Sequence, residues 1–167
     1  MKKILSLFIA ALMLASCGNN TGETEKKDGS DTGTEKKVDQ MVSKPIKIDE
    51  STFRAKVFDY TSGKNFKYLG EKPCIIDFYA DWCAPCRKLS PILEEVAEEY
   101  GEKLIVYKIN TDHSQQVSQY FNVSSIPAVL LCPMSGEPQM MVGLYPKQEY
   151  INAIEKVLFP AATTTAK

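Results

Sequence analysis

From residue 74 to 159 short apolar runs alternate with segments whose apolar positions recur every three or four residues. The run Cys74-Ile75-Ile76-Asp77-Phe78-Tyr79-Ala80 is rich in β-branched and aromatic residues and predicts a buried strand. Between residues 87 and 100 the apolar side chains fall at 89, 92, 93, 96, 97 and 100, one face of an amphipathic helix. Residues 104–109, 126–132 and 139–143 predict three more strands, and residues 147–159 a closing amphipathic helix. Asp49 and Ser51 can cap a short helix through Phe58, and Asp112, His113 and Ser114 a helix through Phe121. Residues 60–65 are turn-like, 66–69 read as a short extended piece, and 133–138 hold a Gly-containing turn. The order β-α-β-α-β-β-α mixes parallel crossovers with one terminal hairpin. It predicts an α/β domain with a central mixed sheet flanked by helices on both faces.

The two ends of the chain follow a different pattern. Met1-Lys2-Lys3 is a short basic start, and residues 4–15 form an apolar run too short to span a bilayer comfortably. The run ends in Leu14-Ala15-Ser16-Cys17, which resembles the bacterial lipoprotein cleavage box. Residues 1–16 are therefore expected to be a signal peptide, with Cys17 the lipidated first residue of an exported, periplasmic, membrane-anchored protein. The alternative is ordinary cleavage that leaves Cys17 as a spare thiol, a liability outside the cytoplasm. Residues 18–44 carry only Val38, Met41 and Val42 as apolar side chains, so 17–44 read as a lipidated cysteine and a tether. Residues 160–167 read as a disordered tail, which leaves 45–159 as one domain. Composition adds little: 44% hydrophobic residues are ample for a core, and a net charge of −1 gives no reason to expect a nucleic-acid partner.

The chemistry concentrates in Asp81-Trp82-Cys83-Ala84-Pro85-Cys86, where a strand hands over to a helix. Unpaired N–H groups and the macrodipole at a helix N-terminus favour a thiolate over a thiol. A reactive dithiol, and hence a thiol–disulfide oxidoreductase, is expected. With one close cysteine pair, a zinc site would lack its other two ligands, and no metal is expected. His113 reads as a polar residue at a helix start. Cys74 and Cys132 lie in apolar strands and read as small buried hydrophobes, with a structural bridge between them as the alternative in an oxidising compartment. Asp77 is a carboxylate inside an apolar strand, either a functional buried acid or a strand-edge residue that meets solvent.

From residue 46 to 158 these features resemble the thioredoxin family in order and spacing. Asp77 falls in the strand as in the family's Asp-Phe-Trp-Ala segment. Trp82, Cys83, Pro85 and Cys86 fit its Trp-Cys-Gly-Pro-Cys motif. Lys108 matches the strand lysine, Ile126-Pro127 the cis-proline loop and Gly143 the late glycine. The resemblance implies a thioredoxin fold and a redox disulfide, Cys83–Cys86, with no other cofactor. Cys83 would be the solvent-facing nucleophile, Cys86 the more buried resolving thiol, Asp77 its proton-transfer group and Lys108 the partner of Asp77. Trp82, Ala84, Pro85, Ile126, Pro127 and Gly143 would line the substrate site, with the Ile126 backbone pairing an extended segment. Pro91 inside the active-site helix also fits the family and should kink it or mark its first stretch. Two departures stand out: Ala84 where Gly is usual, and Tyr79 where a second tryptophan is frequent. Ala84 alters the groups near the thiolate, so the fold does not fix the direction of electron flow.

The expected function is reduction of protein disulfides outside the cytoplasm, recharged by a membrane or soluble thiol electron donor. A disulfide oxidase or isomerase of the same fold is the alternative. No dimerisation module is evident, which disfavours the isomerase and leaves a monomer as the expectation. A non-catalytic peptide-binding lipoprotein would be marked by loss of a catalytic cysteine, and both are present.

Overall fold

Residues 43–63 and 65–160 are described in the computed structural model. The expected leader 1–16, Cys17, the tether up to residue 42 and the tail 161–167 lie outside the described residues. The described elements are β1 (Ile46–Ile48), α1 (Glu50–Lys56), β2 (Cys74–Tyr79), α2 (Ala84–Tyr100), β3 (Ile105–Asn110), α3 (Gln115–Tyr120), β4 (Ala128–Cys132), β5 (Gln139–Val142) and α4 (Lys147–Leu158). The strands form one mixed sheet in the order β1-β3-β2-β4-β5. β1 and β2 run parallel to β3, while β4 is antiparallel to both β2 and β5.

Side chains alternate across the sheet and separate two apolar layers. Ile76, Phe78, Ile109 and Leu130 pack with Phe53 of α1 and Val117 of α3. Ile75, Val106, Val129 and Leu131 pack with Leu89 and Leu93 of α2 and with Tyr150 and Ile154 of α4. Helices thus cover both faces of the central strands, which explains why β2 and β4 are written as near-continuous apolar runs.

Several details depart from the pattern. β1 has no counterpart among the expected strands, because three residues are too few to carry a period; its partner β3 makes it a strand, with Ile46 opposite Tyr107. Residues 66–69 pair with no strand. The Leu69 N–H donates instead to the Val57 carbonyl at 2.9 Å, and Phe66 packs on Phe58 with ring centroids 4.9 Å apart. α2 begins at Ala84 rather than at residue 87, with Pro85 in its first turn, where a missing N–H costs nothing. Asp49 caps α1 as expected, accepting from the Thr52 N–H at 2.8 Å. Ser114 takes the N-cap position of α3 but makes no capping bond. The Glu50 carboxylate of α1 accepts the Gln116 and Val117 N–H groups at 2.7 and 3.2 Å in its place. A contact between residues so distant in sequence leaves no local signal.

Candidate active site

At the C-terminal end of β2 the chain turns through residues 80–83 into α2, and Cys83 is the helix N-cap. Cys83 and Cys86 form a disulfide with Sγ atoms 2.02 Å and Cα atoms 5.3 Å apart. The Cys86 N–H, one of the helix-start donors without an intrahelical acceptor, points at Cys83 Sγ at 3.1 Å. The same donor would stabilise negative charge on that sulfur once the disulfide opens. Cys83 does not meet solvent as expected: it is only 3% exposed, against 2% for Cys86. Both pack with Ala80, Tyr79 and Ile126, while Trp82, Ala84 and Pro85 around them are exposed. A difference in burial therefore does not distinguish the two thiols; the helix-start N–H does.

Asp77 sits opposite Lys108 in the parallel β2–β3 register. The carboxylate is fully buried in a central strand, which rules out the strand-edge reading. Lys108 Nζ lies 3.2 Å from Asp77 Oδ2, yet neither carboxylate oxygen has a well-aligned hydrogen bond. Burial pushes the Asp77 pKa above its ordinary value, and the Lys108 charge pulls it part of the way back. The ammonium is held from other directions as well. It donates to Ser90 Oγ on α2 and lies 5.1 Å from the centre of the Tyr79 ring. Ser90 in turn donates to the Cys86 carbonyl at 3.3 Å, so a chain of polar contacts runs from the buried acid to the backbone of the second cysteine. Ser90 was not among the expected site residues. The available signal was its position four residues after Cys86, one helical turn along the same face.

The surface beside the disulfide contains the remaining expected residues. The Ile126–Pro127 peptide bond is cis, as the loop reading expected. Ile126 packs against the cysteine cluster. The Pro127 carbonyl accepts the Gly143 N–H at 2.8 Å, which ties this loop to the end of β5. Gly143 has φ +110°, a conformation that disfavours a side chain, but a Cβ there would meet only Tyr145 at 3.9 Å. The backbone conformation alone therefore calls for glycine here. Trp82 is 69% exposed and is not a core residue. Its indole N–H donates to the Asp112 carboxylate at 3.0 and 3.3 Å, a role for Asp112 other than the helix cap its position suggested. Val142, Leu144 and Tyr145 add exposed apolar surface around Gly143.

The family model for thioredoxin matches residues 47–156, nearly the whole described domain. The chain belongs to the thioredoxin family. It is 40% identical to a thioredoxin of Borreliella burgdorferi over 110 residues, 66% of this chain and 94% of that one. A thioredoxin 1 of Nostoc is 32% identical over 117 residues, 70% of this chain and the whole of the relative. Among solved structures, a mutant thioredoxin from Halobacterium salinarum is 27% identical with a TM-score of 0.56, covering 72% of this chain and 96% of that one. A chloroplastic thioredoxin z shares the fold, with a TM-score of 0.57 over 68% of this chain and 93% of that one. As a thioredoxin, the chain is a protein-disulfide oxidoreductase that needs no cofactor beyond its redox-active disulfide.

Proposed function

We propose that this thioredoxin reduces protein disulfides outside the cytoplasm while anchored to a membrane through Cys17. The observation that carries the redox half of this reading is the Cys86 N–H directed at Cys83 Sγ at the start of α2. In the reduced protein the Cys83 thiolate attacks one sulfur of a substrate disulfide. A Cys83–substrate disulfide forms, and the other substrate sulfur leaves as a thiolate. Asp77, whose pKa burial raises and Lys108 draws part of the way back, takes the Cys86 proton through water. The Cys86 thiolate then attacks Cys83 Sγ, closes the Cys83–Cys86 bond and expels the second substrate thiolate. Two electrons pass to the substrate, and a thiol donor restores the dithiol by the reverse exchange. Ile126, Pro127 and Gly143, with the exposed Trp82, Ala84 and Pro85, receive an extended substrate segment beside the disulfide.

Support for export and anchoring comes from the basic start at Lys2 and Lys3, the apolar run of residues 4–15 and the Leu14-Ala15-Ser16-Cys17 box. The charged, apolar-poor segment that follows would act as a tether. Acid-quenched alkylation of living cells tests the direction of electron flow. Mostly free Cys83 and Cys86 thiols are expected; a steady-state disulfide would favour the oxidase reading. Mass analysis of the mature N-terminus should find a lipid on Cys17, and an unmodified, soluble product would remove the anchor.

A further inference from the structure

Two thiols stand outside the chemistry of the active site. Cys74 opens β2 and Cys132 closes β4, and the antiparallel register sets them directly opposite each other. Both are free and fully buried. They belong to the layer that packs under α1 and α3, with Ile76, Phe78 and Leu130. Cys83 caps α2, whose apolar face packs on the other side of the sheet. The two cysteine pairs thus belong to separate packed clusters.

Directly opposed residues in an antiparallel ladder hold their Cα atoms about 4.5–5.5 Å apart. A disulfide spans Cα separations of about 4.4–6.8 Å. Cβ atoms of such residues lie about 4.5–5.5 Å apart, and a bridge needs about 3.5–4.5 Å. A movement of about 1 Å thus closes the gap. The ladder also ends at this pair, beyond which stand Pro73 and Pro133, neither with an N–H to extend it. Terminal pairs open and adjust more easily than interior ones. The Cys132 thiol is pushed well above its ordinary pKa, first by hydrogen bonding with the Cys74 thiol and then by burial. The Cys132 thiol therefore stays protonated while the ladder end is shut.

We propose that Cys74 and Cys132 are a second dithiol, which a low-molecular-weight disulfide oxidises to a cross-strand bond joining β2 to β4. When the ladder end opens, one of the two thiols loses its proton to water and attacks the small disulfide. A mixed disulfide forms and one small thiol is released. The second protein thiolate attacks the protein sulfur of that intermediate and expels the other small thiol. Two electrons and two protons pass to the small disulfide, which is reduced to two thiols. β2 leads into the active-site turn and β4 leaves the cis-proline loop, so the bond joins the two strands that carry the site.

The test uses the full chain, reduced, freed of reductant and incubated with excess oxidised glutathione at neutral pH. Acid quenching, alkylation and non-reducing digestion precede mass spectrometry. A peptide pair joined through Cys74 and Cys132 is expected, two hydrogens lighter than the reduced pair. In a Cys83→Ser/Cys86→Ser chain, the same oxidation should raise the melting temperature. That rise should vanish when Cys132→Ala is added. Recovery of Cys74 and Cys132 as alkylated thiols, under conditions that fully close Cys83–Cys86 in the parent, overturns the proposal. Finding them joined only to glutathione or to another chain does so too.

Discussion

Cys83–Cys86 and Cys74/Cys132 use the same residue in similarly buried places, and only the first pair has a helix-start donor at its sulfur. Exposure does not separate them: Cys83 and Cys86 are almost as buried as the two strand cysteines. What differs is the neighbour that meets the sulfur. Cys83 Sγ receives a helix-start N–H, a donor that favours the thiolate. The Cys132 thiol meets a second thiol in an apolar layer, and its pKa is driven upward. Access differs as well, since Trp82, Ala84 and Pro85 bring exposed chain to the first pair while the second lies under α1 and α3. Reactivity in this molecule thus follows the dipoles around a sulfur and the path to it, more than its solvent-accessible area.

The largest expected effect breaks the first pair. Cys83→Ser should lower kcat/KM for reduction of a protein disulfide by more than about three orders of magnitude, because the attacking group itself is removed. Cys86→Ser should leave the attack intact and accumulate a Cys83–substrate adduct, visible on non-reducing gels. Equal accumulation in a Cys83→Ser chain would mean that the wrong cysteine had been assigned as nucleophile. For the second pair the expected effect is on stability. Closing a loop of roughly 60 residues stabilises the fold by about 4 kcal/mol in the chain-entropy account. Denaturant midpoints of the oxidised and reduced Cys83→Ser/Cys86→Ser chain measure it, and equal midpoints would show that the bridge constrains nothing.

Asp77 extends the contrast to the acid beside the first pair. Asp77→Asn should slow the resolving step by about two orders of magnitude, the lower end of what a positioned proton acceptor contributes. Rapid-quench decay of the mixed disulfide measures that step, and a decay rate equal to the parent's would exclude Asp77 from proton transfer. The same residue makes stability depend on pH. Its folded pKa is raised above the ordinary value of 3.8, so between the two values the folded state binds the extra proton. Its contribution to stability is present at lower pH and is lost as pH rises through the folded value. Melting temperatures should therefore shift in favour of Asp77→Asn as pH rises from about 4 towards neutrality, and a shift in the opposite sense would refute the raised pKa.

How far the sequence announces these features depends on the distance over which each is built. The Cys83–Cys86 pair is local: sequence separation 3, a strand before it and a helical period after it, so motif and placement could be read together. The main strands and helices were legible for the same reason, each carrying several turns of its own period. Lys108 and the Ile126–Pro127 loop came from the family resemblance rather than from periodicity. Contacts between distant segments left no trace. β1 is a strand only because β3 is beside it, α3 is capped by Glu50 of another helix, and Trp82 is held by Asp112 across the turn. The pairing of Cys74 with Cys132 is intermediate: the sequence offers a bridge only as an alternative to two inert hydrophobes, and the register is what sets them face to face. Burial of Cys83 was also hidden, because it depends on Ile126 and Tyr79 packing over the turn.

Ser90 gives the smallest effect. Its hydroxyl takes a hydrogen bond from Lys108 and donates one to the Cys86 carbonyl, so it draws the ammonium towards α2. Lys108 stays 3.2 Å from Asp77 without a well-aligned bond to it. Removing the hydroxyl in Ser90→Ala frees that ammonium to turn fully onto the carboxylate, which favours its charged form. Other groups near this network stay in place: the Tyr79 ring under the ammonium, Tyr150 of α4, whose pKa Asp77 helps to raise, and Glu94, Glu98 and Lys47 around the outer side of Lys108. Asp77 should therefore titrate at lower pH, and the pH profile of the resolving step should move in the same direction, while attack by Cys83 keeps its rate. Stability should change by no more than about 1 kcal/mol, since one hydrogen bond is lost and a better helix former is gained. Ser90→Thr, which restores a hydroxyl, should return the profile to that of the parent. An Asp77 carboxyl titration, followed by NMR, that is identical in Ser90→Ala and the parent would reduce Ser90 to a helix residue with no hold on the acid.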